Sequence, residues 1–308
     1  MRAQHFPPNR DGFTLIELLI AMVMGLIVLA ASTALVASTW RGMSGNRERE
    51  GIERNARFIN EALHRDLAET GVGLSSSVRF ASLSARGDTI VILSVPYTDG
   101  VPASPHTIQY AGPVLAPSTG TCGTYCVDVD TVAFDLAVGD VALLQSNNER
   151  RLIQVTGVSR SGGKASVTFA ADSSMLQHES AYARNLQLSS NGTVIMKLKF
   201  VEYYVRNRRL MRAEQLNPDR TPMGELMATG VDSIKVNLVF SSGAVAPTAD
   251  PSDADGNNDW NDILALRVFA TLQSDPTDTR LNGGQPITRN YQWWFAPRNL
   301  RYEKNAAG

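Results

Sequence analysis

The fold of this chain is decided near its N-terminus, by residues 18–39, whose sequence is LLIAMVMGLIVLAASTALVAST. This segment holds 22 consecutive residues without a charge, where the 19% of charged residues in the whole chain would place about four. At about 1.5 Å of rise per residue, the segment is about 33 Å long as a helix, enough to cross a hydrocarbon core of about 30 Å. The sequence therefore predicts a membrane-spanning helix.

The residues ahead of this helix give its orientation. Arg2, Arg10 and Asp11, together with the α-amine, leave a positive flank, so the positive-inside rule places the chain after Trp40 outside the cytoplasm. A secretory signal peptide is the competing interpretation, but its apolar region is about 7–15 residues long and ends at a small-residue cleavage site. Here the apolar run is longer, and Glu17 stands near its start. A carboxylate at the edge of a spanning helix is costly and indicates a functional role.

The residues Gly12-Phe13-Thr14-Leu15-Ile16-Glu17, followed by the apolar helix, resemble the class III signal of type IV pilins and pseudopilins. The resemblance implies that a prepilin peptidase cuts after Gly12 and N-methylates Phe13. Residues 1–12 would then be a leader, and residues 13–39 a helix kept for the membrane and the filament core. The resemblance also implies that Glu17 neutralises the amine of a neighbouring subunit during assembly. A plain membrane anchor is the alternative.

Residues 40–73 change to an amphipathic pattern. One face carries Ile52, Ala56, Ile59, Leu63 and Leu67, which are spaced 4, 3, 4 and 4 apart as on one side of a helix. The opposite face carries the i,i+4 pairs Glu50 with Arg54, Glu53 with Arg57 and Glu61 with Arg65. With Gly71 and Gly73 as the stop, the pattern predicts one helix from about residue 13 to residue 70. An anchor followed by a separate helix remains the alternative.

Residues 74–308 read as strands separated by turns, which predicts a β-rich head with mostly antiparallel pairing and an α+β fold of the whole chain. A large, disordered-looking loop is expected at about residues 241–262. The candidate strands, rich in β-branched and apolar residues, are 89–95, 141–145, 152–158, 165–170, 194–205, 231–240, 263–272 and 287–295.

Several stretches beyond the signal resemble the PilW family of minor pilins. They are Ala56-Arg57-Phe58, Arg65-Asp66-Leu67, Val138-Gly139-Asp140, Tyr203-Tyr204-Val205 leading to Leu210-Met211-Arg212, Leu266-Arg267-Val268 and Arg298-Asn299-Leu300-Arg301. The resemblance is spread over most of the chain. It favours a PilW-like minor pilin over the J-type minor pseudopilin of type II secretion, which is expected to share the fold.

Two clusters in the head invite a site interpretation. Cys122 and Cys126, the two cysteines of the chain, are separated by three residues and are expected to form a local disulfide in an oxidising compartment, with free or otherwise paired thiols as the alternative. An acidic loop offers a weak calcium candidate, but Asn258 and Leu264 stand where an EF-hand requires glycine and glutamate, so a solvated loop is preferred. The calcium candidates are Asp253, Asp255, Asn257 and Asp259. No other metal site and no cofactor is expected.

Other classes of function find little support. The 29 Lys and Arg against 30 Asp and Glu give no cationic footprint for coating nucleic acid. Residues 157–166 depart from the phosphate-loop pattern and predict a hairpin turn. Arg206, Arg208 and Arg209 follow two tyrosines and could touch DNA, although a strand, a turn and a second strand explain them better. The histidines, His64 among them, are isolated and no hydrolase motif is present, so no enzyme is expected.

The leading prediction is a minor pilin in the inner membrane, with its head in the periplasm and later in the pilus. Its expected partners are other minor pilins, the major pilin, the prepilin peptidase, the pilus assembly platform and the membrane; nucleic acid is not expected as a partner. The alternatives are a J-type pseudopilin of type II secretion, a membrane-tethered DNA- or ligand-binding module, and a periplasmic enzyme on an anchor.

Overall fold

The structure, a computed structural model, describes residues 14–74, 80–96, 125–130, 136–146, 149–161, 164–169, 193–250, 258–274 and 284–300. The chain divides into two compact units. The first comprises residues 1–51 and 275–287, and the second comprises residues 52–274 and 288–308.

Helix α1 runs without interruption over Leu15–Ala68, which confirms a single helix rather than an anchor and a separate helix. Within the first unit its large apolar side chains, from Leu15 to Met43, are 47–83% exposed. In the second unit all five residues of the predicted apolar face are buried. Glu53, however, forms an ion pair with Arg289 of a strand in the head at 3.0 Å, where the sequence predicted Arg57 as its partner; both side chains of the observed pair are partly exposed.

The end of α1 is set by glycine. After Ala68 the chain turns, and Gly71 and Gly73 adopt φ values of 75° and 73°, in the left-handed region that glycine enters without strain. The amide of Gly71 donates to the carbonyl of Leu93 at 3.0 Å, so the turn is also joined to the first sheet of the head.

Within the described residues, the head contains three antiparallel sheets. The first has the order β1-β2-β8-β9-β10, the second β12-β11-β13-β14, and the third β3-β6-β5-β4-β7. In chain order the strands are β1 Leu83–Arg86, β2 Thr89–Ser94, β3 Cys126–Asp130, β4 Val141–Ser146, β5 Glu149–Ser161, β6 Lys164–Phe169, β7 Thr193–Lys197, β8 Lys199–Arg206, β9 Arg209–Leu216, β10 Pro222–Thr229, β11 Val231–Phe240, β12 Val245–Ala246, β13 Ile263–Gln273 and β14 Thr288–Phe295. The predicted α+β fold with antiparallel pairing is confirmed.

Strand β4 of the third sheet is buried on both of its faces. Ala142 and Leu144 pack into an apolar cluster formed within the third sheet itself. Val141 and Leu143 point to the opposite side and join a second cluster with residues of β2 and β8, such as Leu93 and Phe200. The period of two along the strand therefore divides its side chains between two cores.

Each of the eight candidate strands overlaps an observed strand, with one change. The candidate at 194–205 is two strands: β7 belongs to the third sheet and β8 to the first, and the chain changes sheets at Leu198, which is buried in the core between them. The candidate loop at 241–262 is partly structured in the residues that the structure describes. Val245 and Ala246 pair with β11. Trp260 begins a short 3-10 helix, Trp260–Asp262, and its side chain is buried. Burial of this large apolar ring stabilises the ordered part of the loop.

Candidate functional site

The N-terminal end of α1 is organised around Thr14 and Glu17. The amide and the hydroxyl of Thr14 donate to one carboxylate oxygen, Oε2 of Glu17, at 3.0 and 2.9 Å, and the amide of Glu17 donates back to the Thr14 hydroxyl at 3.4 Å. This is a capping box, in which two side chains satisfy backbone amides that a helix leaves free at its start. The negative charge of Glu17 also lies at the positive end of the helix dipole.

The helix that follows has no unsatisfied side-chain polar group along residues 18–39. Its four hydroxyl residues each donate to a carbonyl three or four residues earlier. These bonds run from Ser32 to Val28 at 2.8 Å, from Thr33 to Leu29 at 3.0 Å, from Ser38 to Leu35 at 2.8 Å and from Thr39 to Leu35 at 2.9 Å. Because hydrocarbon cannot hydrogen-bond, this internal pairing suits a membrane or a filament core. Glu17 is then the single ionisable group of the apolar half, and it lies at its edge.

A second polar centre joins α1 to the first sheet. Asp66 is 3% exposed and stands on the apolar face of the helix. It accepts hydrogen bonds from the Tyr203 hydroxyl at 2.6 Å and from Nε of Arg212 at 2.7 Å. Burial opposes its ionised form, but the bonds from Arg212 and Tyr203 outweigh burial, so the pKa of Asp66 lies below its ordinary value. We call Asp66, Tyr203 and Arg212 the helix lock.

The pKa values of Tyr203 and Arg212, the two partners of Asp66, are both raised, so both side chains stay protonated. Burial, and then the bond to Asp66, raises the pKa of the Tyr203 hydroxyl, so it stays protonated as a donor. Burial works against the charge of Arg212, but its bonds to Asp66 and Glu214 raise its pKa. The three side chains therefore keep a buried ion pair and a neutral donor over a wide range of pH.

Around the helix lock, two further contacts join the end of α1 to the rest of the head. Lys199 bonds Glu69 at 2.5 Å, and the Asn299 side-chain amide donates to the Thr70 carbonyl at 2.9 Å. Asp66, Tyr203, Arg212 and Asn299 come from three of the six stretches quoted in the sequence analysis. The sequence marks these stretches without connecting them, although an acid on the apolar face, one residue before Leu67, signals a buried partner.

The other predicted site residues are placed as follows. Gly12 and Phe13 lie outside the described residues, as do Cys122, Asp253, Asp255 and Asn257. Cys126 is disulfide-bonded. Asp259 is buried beside Trp260, and the part of the chain that the structure describes has no group of three or more acidic, histidine or cysteine side chains suited to a metal.

The three arginines of the β8–β9 hairpin, Arg206, Arg208 and Arg209, lie exposed at its turn. Asn207 and Arg208 make the turn with φ values of 52° and 59°, and Arg208 donates to Gln273 at 2.9 Å. The predicted strand, turn and strand are therefore confirmed. His64 is exposed on α1, as expected for a surface residue.

The site and the fold define a class of protein: an α+β head on a helix that is long and apolar enough to span a membrane, with a single acidic residue at the start of that helix. Residues 7–33 match the family model described as the prokaryotic N-terminal methylation motif. No curated protein and no solved structure matches the chain. The motif, the apolar helix and the fold together support a type IV pilin-like or pseudopilin-like protein, suited to membrane anchoring and to assembly with other pilins rather than to enzymatic work.

Proposed function

We propose that this protein is a minor pilin of the PilW type, which takes part in assembling a type IV pilus within a complex of minor pilins that primes or caps the filament. The observation that carries the proposal is the apolar half of α1, whose side chains are exposed and whose single carboxylate lies at its start. An apolar surface of this extent needs a lipid or protein environment. The membrane supplies lipid before assembly, and the packed helices of the filament supply protein afterwards.

Processing precedes assembly in this proposal. The prepilin peptidase cuts between Gly12 and Phe13 on the cytoplasmic side and methylates Phe13. Cleavage creates an α-ammonium one helical turn from Glu17, and methylation keeps its charge. The head lies in the periplasm and then in the pilus, and its disulfide joins Cys126 to Cys122, the one other cysteine in the sequence.

Glu17 has two successive roles, one before assembly and one during it. Before assembly its carboxylate is held by Thr14 of the same chain, which lowers the cost of placing it at the membrane edge. During assembly the ammonium of a neighbouring subunit is drawn to it, because an ion pair at the edge of hydrocarbon is far more stable than either charge alone. Close approach of the helices is favoured by the small residues Gly25, Ala30, Ala31, Ser32 and Ala34.

The test uses two variants with different expected results. Gly12→Ala should block cleavage, leaving a precursor about twelve residues longer that mass spectrometry detects. Glu17→Ala should be cleaved and methylated normally but should assemble poorly, as counted by pili on the cell surface.

An unchanged mature mass in Gly12→Ala would exclude the prepilin interpretation, and full piliation in Glu17→Ala would exclude the charge pairing. Deleting the gene distinguishes a pilus subunit from a pseudopilin of type II secretion. Loss of type II secretion with normal piliation would assign the protein to the secretion pseudopilins.

A further inference from the structure

The third sheet is built from one continuous stretch of the chain. Its five strands all lie between Cys126 and Lys197, and the strands before and after this stretch, β2 and β8, are paired neighbours in the first sheet. Within the described residues, none of the inserted strands pairs with a strand of the first sheet. The inserted sheet also has an apolar core of its own, which includes Leu144 and Val167. We call the inserted sheet the module; it can keep its structure while its position changes.

An apolar interface holds the module on the first sheet. Leu143 of the module shares an apolar cluster with Leu93 of β2 and Phe200 of β8. A polar contact crosses the same boundary, because the side-chain amide of Gln154 donates to the carbonyl of Asn217 at 2.6 Å. Side-chain packing rather than a shared backbone ladder therefore joins the described parts of the module and the first sheet.

Glu202 lies at the rim of this interface. It follows Phe200 by two residues on β8, so both side chains point to the same face of the sheet, opposite to Tyr203, which bonds α1. Its cross-strand neighbour on β2 is Val91, a member of the interface cluster. Tyr204, next along the strand, is only half-buried. Glu202 therefore stands where the apolar interface ends.

The carboxyl group of Glu202 lacks a partner. The residue is 9% exposed, yet none of the described residues donates a hydrogen bond to it or pairs with its charge. Asp66, on the other face of the same sheet, is instead held ionised by Tyr203 and Arg212. Burial alone raises the pKa of Glu202 to about 7. The docked interface thus accommodates the neutral acid and opposes the carboxylate.

The surrounding elements supply no counter-charge for Glu202. Its neighbours across β9 and β10 are Ala213 and Gly224, and the module residues in the interface cluster are apolar. Burial raises the pKa of Tyr204, which stays neutral near pH 7. The other charged groups on this side of the described sheet are exposed or already paired: Arg206 and Arg209 of the β8–β9 hairpin, Arg86 and Asp88 of the β1–β2 turn, and Lys197 with Asp140 of the module.

We propose that the module docks on the first sheet and separates from it as a unit, and that Glu202 controls this docking through its protonation. Neutral Glu202 allows the apolar interface to close. Ionised Glu202 favours separation, because water reaches the carboxylate only when the module has moved away. The docked state is therefore most stable at acidic pH and opens more often as the pH rises through neutrality.

Two adjacent residues of β4 test this proposal. Leu143→Cys places a thiol in the interface and Leu144→Cys places one in the module's own core, and both native side chains are fully buried. Labelling by a thiol reagent is measured on the mature full-length protein in detergent at pH 5.5 and pH 7.5. Each rate is divided by that of a small thiol at the same pH, and the protein without an added cysteine gives the background.

The Leu143→Cys thiol should be labelled faster than the Leu144→Cys thiol at both pH values, because separation of the module exposes only the first. Its normalised rate should rise about 20-fold from pH 5.5 to pH 7.5, as follows from a pKa of about 7 when docked and the ordinary value of 4.5 when open. Adding Glu202→Gln should abolish the rise. Adding Glu225→Gln, at an exposed position of the same sheet, should preserve it.

A second pair of variants makes a smaller change, in case the leucine variants do not fold. Val141→Cys lies in the interface cluster and Val155→Cys in the module's own core, and the same difference in labelling is expected.

Equal labelling of the interface thiol and the core thiol would show that the interface opens only when the module itself unfolds, and would overturn separation as a unit. A normalised rate at Leu143→Cys that is the same at both pH values, or a rise that survives Glu202→Gln, would overturn the role of Glu202. Neither outcome bears on the proposed processing at Gly12, which mass spectrometry tests separately.

Discussion

Replacing Asp66 by alanine should be the most informative single change in the head. The substitution removes a buried carboxylate that joins α1 to two strands of the first sheet, through Tyr203 at 2.6 Å and Arg212 at 2.7 Å. It leaves a buried hydroxyl without its acceptor and a guanidinium whose side chain is 16% exposed without its buried partner. Removing one member of a buried ion pair typically costs about 3–5 kcal/mol.

The structure lowers that expectation somewhat. In the variant Arg212 keeps a second ion-pair partner, Glu214, at 2.6 Å, so its charge is still partly compensated. We therefore expect Asp66→Ala to lower the free energy of unfolding by about 3 kcal/mol. Asp66→Asn retains one acceptor oxygen and should cost about half as much.

Glu69→Ala is the matched control. Glu69 lies in the turn that follows α1 and bonds Lys199 of the same sheet at 2.5 Å, but the side chains of this pair are 33% and 45% exposed. An exposed pair contributes about 0–1 kcal/mol, so the control separates burial from mere contact between the helix end and the sheet.

The assay is denaturant unfolding of the mature full-length protein in detergent, followed by tryptophan fluorescence. Three of the four tryptophans, Trp260, Trp293 and Trp294, belong to the head. A double-mutant cycle with Tyr203→Phe measures the coupling directly. If Asp66→Ala costs no more than Glu69→Ala, or if the cycle shows no coupling, the helix lock does not hold α1 to the sheet.

Three further predictions concern the head. Glu202 is buried among apolar neighbours, which raises its pKa to about 7; because its folded pKa lies above the unfolded value, stability should fall by up to about 3 kcal/mol between pH 4.5 and pH 7. Glu202→Gln should remove that slope, and an equal slope in the variant would assign it to other groups. Gly230→Ala should cost at least about 1 kcal/mol more than Gly87→Ala, since both have positive φ but only at Gly230 would a methyl group collide with a backbone oxygen, that of Gln273; equal unfolding midpoints would contradict this. Leu63→Ala, at a fully buried position of α1, should cost about 2–5 kcal/mol, and Phe58→Ala, at a site 47% exposed, under about 1 kcal/mol; thermal unfolding of the two variants side by side would expose an error in the assigned helix face.

Much of the fold follows from local patterns. A run of 22 uncharged, mostly apolar residues is stable as a helix in an apolar environment, and the spacing of Ile52 to Leu67 places these residues on one face of a helix, so both halves of α1 were predictable. Strands such as β11 were equally clear, because β-branched and apolar residues alternate between turn signals. The strands β9 and β10 were harder to recognise, because they mix charged residues, methionine and glycine and owe their conformation to pairing with β8 and with each other.

The sequence by itself determined that the N-terminal helix is apolar, that Glu17 stands alone at its start, and that a β-rich head follows, because these depend on neighbours along the chain. The tertiary structure decided which distant residues meet. Asp66 and Arg212 are 146 residues apart, and no local pattern pairs them. It also decided which strands are neighbours in each sheet, because strand order and register are properties of the folded sheet. Long-range pairing of this kind depends on the summed packing of the whole head, to which each short stretch contributes only a little.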